Sequence, residues 1–293
     1  MHTATDTRAG RALGVALAAN AALLVAEVVG GLVFASLALL ADAAHLATDV
    51  LGLGVAVVAQ LLVTRPASSR RTFGLRRAEA LGAQVNALLV LGAAAWIVVE
   101  AISRLGGSHH VDGTGVLAIG VVAVLVNGTS AAVLARTGSR RLNVRAALVH
   151  LVTDVAGSLA VVVAAIGIVA FGADWLDPVA SLLIAALAAW AAWGVLRDST
   201  NVLLEAAPRD VEVGDVEQAL FAAPGVEAVH HVHVWEVASD LPALSAHVVL
   251  SGAPSLHDAQ MRGETLKTML ADRFGIAHAT LELECHECDT PGH

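Results

Sequence analysis

Two histidine–aspartate pairs share one spacing. His45 and Asp49 lie in DAAHLATD, residues 42–49, and His150 and Asp154 lie in HLVTD, residues 150–154. In each pair the aspartate follows four residues after the histidine, which puts both side chains on one face of a helix. Both segments sit inside long apolar runs. A charged side chain in a membrane span costs about 2.5–3.5 kcal/mol on insertion scales, so such groups face a bundle interior and need partners. Two facing pairs supply two imidazole nitrogens and two carboxylates, a four-coordinate N/O set that suits Zn²⁺. Two aspartates and one divalent cation also sum to zero charge. Interhelical hydrogen bonding would account for one such pair; the repeat on a second span favours a metal site. Asp42, three residues before His45, lies close to the same face. It reads first as an outer carboxylate orienting His45, with a proton relay or an entry ligand as alternatives.

The elements that must hold these residues are membrane spans. The chain has 293 residues, of which 57% are hydrophobic and 15% charged, and a mean hydropathy of +0.72. Soluble domains are about 45–50% apolar and about 25% charged. Apolar runs cover roughly 12–33, 37–63, 79–103, 114–135, 146–171 and 175–196, each near the roughly 20 residues a span needs. Six transmembrane helices follow. The breaks fall at Gly30-Gly31, at Pro66 with Ser68-Ser69, at Gly106-Gly107, at Thr137 to Ser139 and at Asp174 to Pro178, where Asp177 reads as the cap of the sixth helix. Other polar residues in or near the spans, Asn20, Glu27, Glu79, Gln84, Asn86 and Asn127, read as interhelical hydrogen-bonding groups. The first run has no cleavage site of the usual kind after it, so no secretory signal is expected.

Arginines orient the bundle. Arg65, Arg70, Arg71, Arg76 and Arg77 lie between spans two and three, and Arg136, Arg140, Arg141 and Arg145 between four and five. The loops of the opposite side carry only Arg104. The positive-inside rule therefore puts both termini in the cytoplasm of a multi-pass cell-membrane protein. The expected division is a cytosolic segment 1–11, a six-span domain 12–200 and a cytosolic domain 208–293.

That last part differs in kind. Residues 208–293 hold four Lys/Arg against fourteen Asp/Glu, and eight of the thirteen histidines. Such an acidic, histidine-rich segment points to cations as partners and away from nucleic acid. A helix over 212–223, strands over 226–237 and 243–251, a helix over 255–273 and a strand over 277–285 give an αββαβ order. The expected fold is a small ferredoxin-like α+β domain with helices on one face of a three-stranded sheet. Strand alternation puts His231, His233 and Trp235 on one face, and Glu282 and Glu284 on one face of the last strand. His230 and His231 read as strand residues rather than ligands. Cys285 and Cys288 form one C-x-x-C, half of a zinc site; they either ligate metal or stand as free reduced thiols. Arg76 or Arg77 is placed to pair with Glu205 where the spans meet this domain.

The ADAAHLATD and HLVTD segments, RTFGLRRAEALGAQVNALL after span two, DPVASLLIA in span six, and HHVHVW, LSAHV and HATLELE in the tail resemble the cation diffusion facilitator family, and within it the zinc-transporter branch. The resemblance spans nearly the whole chain. It implies a homodimer of six-span protomers that exports divalent metal, Zn²⁺ first, from the cytoplasm in exchange for protons. His45, Asp49, His150 and Asp154 fall on the family's transport-site positions. Histidine at position 45 is similar to the zinc-selective members and argues against cadmium as the main substrate. For the tail, the resemblance implies a zinc-binding dimerisation domain with ligands at His233, His247 and Glu284, His257 as a candidate for an adjacent metal, and His278 close to a further ligand position. One departure stands out. The connection RTGSRRLN between spans four and five has no histidine, so delivery of metal through a histidine-rich loop is not expected.

Two other classes share the site. An intramembrane metalloenzyme needs a general base and an open coordination position, and neither HExxH nor GxSxG appears. A metal-sensing receptor leaves the two intramembrane pairs without a purpose. A secondary transporter, not an enzyme, is the expectation.

Overall fold

The computed structural model describes residues 19–63, 66–105, 109–136, 142–238 and 241–286. Helix α1 covers Ala19–Val33, α2 Leu37–Val63, α3 Ala78–Leu105, α4 Gly113–Arg136, α5 Leu142–Phe171 and α6 Leu176–Leu203. By length and composition α3, α6, Gly113–Val133 of α4 and Leu151–Phe171 of α5 can each cross a membrane. Helix α1 is a shorter apolar helix over its described length. Helix α2, with 27 residues, reaches about 40 Å at 1.5 Å per residue. The chain divides into two compact units at Gly54/Val55, Gln84/Val85 and Val195/Leu196.

The first unit holds α1 and the greater part of α2 to α6. Its core joins Leu37, Ala38, Leu39 and Ala41 of α2 to Ala94, Ile97 and Ala101 of α3. Val111 before α4 and Val116 in it, Val161, Ala164, Ala165 and Ile168 of α5, and Ala180, Ile184 and Ala185 of α6 complete it. Alanine dominates because, in lipid, helices associate by close packing rather than by expelling water.

Two expectations about helix ends change. Helix α1 continues through Gly30 and Gly31, and the chain turns instead at Phe34 to Ser36, where Ala35 has φ +55°. The Ala35 carbonyl there accepts a 2.7 Å bond from the Arg104 guanidinium. Asp177 does not cap its own helix, which begins one residue earlier at Leu176. Its carboxylate caps α2. Oδ1 accepts from Ser36 Oγ at 2.5 Å and from the Ala38 N–H at 3.2 Å, and Oδ2 accepts from the Leu37 N–H at 2.7 Å. The orphan amides of α2 and the positive end of its dipole thus find a buried anion. Asp177→Ala is expected to cost about 1–3 kcal/mol, since it leaves buried donors unmade. A lowered melting temperature in detergent would register it, and Asp177→Asn should recover part of the loss.

The second unit holds the end of α2, the start of α3, the end of α6 and the tail. Helix α6 runs past Arg197 to Leu203, beyond the expected end at 196. In the tail, α7 covers Val213–Phe221, β1 Val226–Ala238, β2 Leu241–Leu250, α8 Leu256–Phe274 and β3 His278–Glu284. The order αββαβ matches the sequence reading. The sheet runs β1-β2-β3, with β1 and β2 antiparallel and β2 and β3 parallel. Helix α8 is the crossover that a parallel pair requires. Ser255 caps its start by accepting from the Asp258 N–H, and Gly275, at φ +70°, ends it. Val216 and Leu220 of α7 and Leu266 and Leu270 of α8 pack on Leu244, Ala246, Val248 and Leu250. Because strand side chains alternate, the odd-numbered residues of β2, His247 among them, face away from these helices.

Candidate metal centres

The first centre is on α2 and α5. His45 Nε2 lies 3.2 Å from Asp154 Oδ1. One donor atom each from His45, Asp49 and Asp154 lie within 4.8 Å of one another. Asp154 is buried, and His45 and Asp49 are half-buried. His150 stands on α5 one turn before Asp154, and its side chain lies outside the described residues. Helix geometry puts the i and i+4 residues of α2 on one face, one turn apart, and the sequence spacing anticipated that much.

Asp42 has a partner that the sequence did not suggest. It is buried and accepts a 3.1 Å bond from Ser158 Oγ, which itself accepts from Asn127 Nδ2 at 3.3 Å. The chain α2–α5–α4 of polar groups thus orients Asp42 against α5. A Cβ on Gly157 would stand 3.3 Å from Asp42 Oδ1, so glycine there admits the close approach. Asn127 and Gln84 make the interhelical bonds expected of them, Gln84 Nε2 donating to Thr200 Oγ1 at 3.1 Å. Glu27 Oε2 and Asn86 Oδ1 differ: both are buried without a hydrogen-bond partner among the described residues.

The second centre is on the tail sheet. Register aligns His230 of β1, His247 of β2 and Glu282 of β3 in one row across the strands, with Glu284 two residues further on. His247 Nδ1 donates to Glu284 Oε1 at 2.6 Å, and His230 Nε2 donates to Glu284 Oε2 at 3.1 Å. Burial alone would raise the Glu284 carboxyl, but these two bonds outweigh it and hold it below the usual carboxylate range. His247 Nε2 faces Glu282 Oε2 at 3.5 Å. Both nitrogens of His247 therefore face carboxylate oxygens. A neutral imidazole has only one N–H, so with Nδ1 donating to Glu284 the Nε2 lone pair beside Glu282 is placed to ligate a metal ion.

His230 and His231, read as strand residues rather than ligands, lie on β1 and come close to His247. The three rings of His230, His231 and His247 lie 4.9–5.1 Å apart, centroid to centroid. A bulge causes this. His231 has φ +50°, and the β1–β2 register shifts between His230 and His233. Alternation breaks there, as at any bulge, so His233 pairs opposite Ser245 and is exposed. The adjacent HH dipeptide was the available signal; the bulge that uses it was not legible. His257 and His278 are exposed and belong to none of the metal-competent groups among the described residues. The His278 ring meets Phe73 edge-on, centroids 5.4 Å apart. Cys285 is exposed with a free thiol, and Cys288 lies outside the described residues.

Two family profiles match the chain: the cation efflux transmembrane domain over residues 13–204, and the cation efflux protein cytoplasmic domain over residues 208–286. The chain belongs to the cation efflux, or cation diffusion facilitator, family. Cation diffusion facilitators are metal cation transporters rather than enzymes, and the chain is a multi-pass membrane protein. It is 39% identical over 286 residues to the metal cation efflux system protein CzcD of Cupriavidus metallidurans, covering 97% of this chain and 90% of that one. It is 37% identical over 292 residues to the zinc transporter ZitB of Escherichia coli, covering 99% and 92%. It is 33% identical over 263 residues to the cadmium, cobalt and zinc/H(+)-K(+) antiporter of Bacillus subtilis, covering 89% and 84%.

Proposed function

We propose that this cation diffusion facilitator exports Zn²⁺ from the cytoplasm in exchange for protons, through His45, Asp49, His150 and Asp154. The observation that carries the reading is the convergence of His45, Asp49 and Asp154 donor atoms within 4.8 Å inside the helical unit. Tetrahedral Zn²⁺ with ligands at 2.0–2.1 Å holds neighbouring donors about 3.3 Å apart. The His45–Asp154 separation of 3.2 Å suits donors that share an ion. His150, one helical turn from Asp154, is the fourth ligand.

Proton exchange follows from the donor chemistry. An imidazole ligates only when neutral, so zinc binding releases protons and protonation releases zinc. An inward proton gradient then drives zinc outward. The arginine-rich connections hold both termini in the cytoplasm, so zinc enters from the side of the tail. The zinc and H⁺ in the names of relatives 33–37% identical to this chain support the substrate and the counter-ion.

The tail carries a second, resident zinc site. His247 and Glu284, expected from the family resemblance, hold it together with His230, and Glu282 lies in reach. The donor set of imidazoles and carboxylates fits Zn²⁺, and a bound cation meets the Nε2 lone pair of His247. His233 lies on the same face, opposite Ser245, but is not among the clustered donors, and His257, His278, Cys285 and Cys288 are not required for the site. Two tails of net charge −10 each repel one another. Bound zinc reduces the repulsion and draws the tails of a homodimer together, so the tail biases transport according to cytosolic zinc.

His45→Asp tests the transport reading. The variant keeps an anionic oxygen donor at the site and is expected to retain transport while adding Cd²⁺. Flux assays with each metal separate the outcomes. Loss of all transport would show that the imidazole itself is indispensable, and unchanged selectivity would show that position 45 does not meet the metal.

A further inference from the structure

An open cleft of about 1030 Å³ lies in the second unit, between the α2–α3 connection and strand β1. Its volume is at the upper end of the roughly 300–1,000 Å³ of small-ligand sites. Arg70, Arg71, Arg76 and Arg77 all line it. Arg77 donates to Glu205 Oε1 at 2.8 Å. Arg70, Arg71 and Arg76 have no carboxylate partner among the described residues, although the chain as a whole carries a net charge of −9. The cleft thus holds four guanidinium groups against the single carboxylate of Glu205.

The arginines are not on a loose loop. Ser68 and Arg71 exchange backbone bonds of 3.0 and 3.1 Å, and the Gly74 N–H donates to the Arg71 carbonyl at 2.9 Å. Gly74 has φ +71°, a conformation that favours glycine. Phe73, between the two arginine pairs, is fixed against the His278 ring. The opposite wall is Val232, His233, Val234, Trp235 and Val237 of β1 with Ser245 of β2. One side is cationic and fork-shaped, and the other mixes apolar side chains with His233 and Ser245.

We propose that this cleft binds a phosphate-bearing anion. Arginine is suited to it, because the planar guanidinium grips phosphate oxygens through two parallel N–H bonds. The connection joins two membrane-spanning helices, so an anionic phospholipid headgroup is one source, its glycerol and upper acyl carbons meeting the β1 wall. A soluble phosphate ester is the other.

The test uses the full-length transporter in detergent, titrated with short-chain phosphatidylglycerol and, separately, with short-chain phosphatidylcholine, inorganic phosphate and ATP, and read by native mass spectrometry. Saturable binding of one phosphatidylglycerol per protomer, without the same for phosphatidylcholine, identifies the lipid source. Saturable binding of phosphate or ATP that competes with it identifies the soluble source. Either must weaken at least about tenfold in R70Q/R71Q/R76Q, as loss of several charge-assisted bonds requires. If that variant fails to fold, R70K/R71K/R76K, which keeps the charge and loses the forked geometry, must still weaken binding. The proposal is overturned if no probe binds saturably. It is equally overturned if binding is undiminished in a folded glutamine or lysine variant.

Discussion

Asp154→Ala is expected to abolish zinc transport while leaving the helical domain folded. The side chain is buried and stands 3.2 Å from His45 Nε2, with an Asp49 oxygen in reach of the same ion. Its loss removes a ligand and half of the negative charge that neutralises the cation. Loss of a partner that only orients a metal ligand costs about 10–100-fold in affinity, and loss of the ligand itself must cost more. The fold should persist, because the core of this unit is Leu37 to Ala41 with the alanines of α3, α5 and α6, away from the carboxylate. Melting in detergent should therefore shift little while flux falls to background. Asp154→Asn sharpens the result: it preserves shape and removes only the charge, and it should fail nearly as completely. Transport near the wild-type rate in either variant would remove Asp154 from the path of the ion.

The second large effect is in the tail. His247→Ala combined with Glu284→Ala should lower tail zinc affinity by at least about 100-fold, since it deletes two ligands rather than an outer partner. His247 lies within hydrogen-bond reach of Glu284 and opposite both His230 and Glu282, so no other residue replaces it. Zinc-dependent approach of the two tails, read as a distance between spin labels, should vanish with it. His233→Ala should leave both readings unchanged, because His233, opposite Ser245 on the same face of the sheet, is not among the donor atoms that converge on His247. If His233→Ala abolishes zinc binding and His230→Ala does not, the assignment of ligands on β1 is reversed.

Comparing these two centres shows what a sequence makes visible. His45, Asp49 and Asp154 are readable because a helix has one period, and a four-residue spacing can mean only one face. The six spans and the αββαβ order are readable for the same reason, through long apolar runs and alternating strands. The tail cluster is not. One residue, His231 at φ +50°, breaks the alternation of β1 and brings His230 opposite His247. Contacts between residues distant in the chain were also hidden. Asp177 caps a helix 140 residues away, and Asp42 meets Ser158 across 116 residues. Local pattern reports on the element, whereas these contacts depend on how elements pack. The pairing of Arg77 with Glu205 was within reach of sequence reasoning because charge and loop position both favoured it.

Zinc flux into proteoliposomes under an imposed pH gradient tests the central claim most directly. Vesicles with an acidic interior carry transporter whose tail faces outward, with Zn²⁺ supplied outside. For the wild-type protein the account predicts zinc accumulation together with a rise of internal pH, and a protonophore that collapses the gradient should stop both. For Asp49→Ala with Asp154→Ala it predicts neither. Undiminished zinc uptake in the double variant would contradict the site, and wild-type uptake with no movement of protons would contradict the exchange.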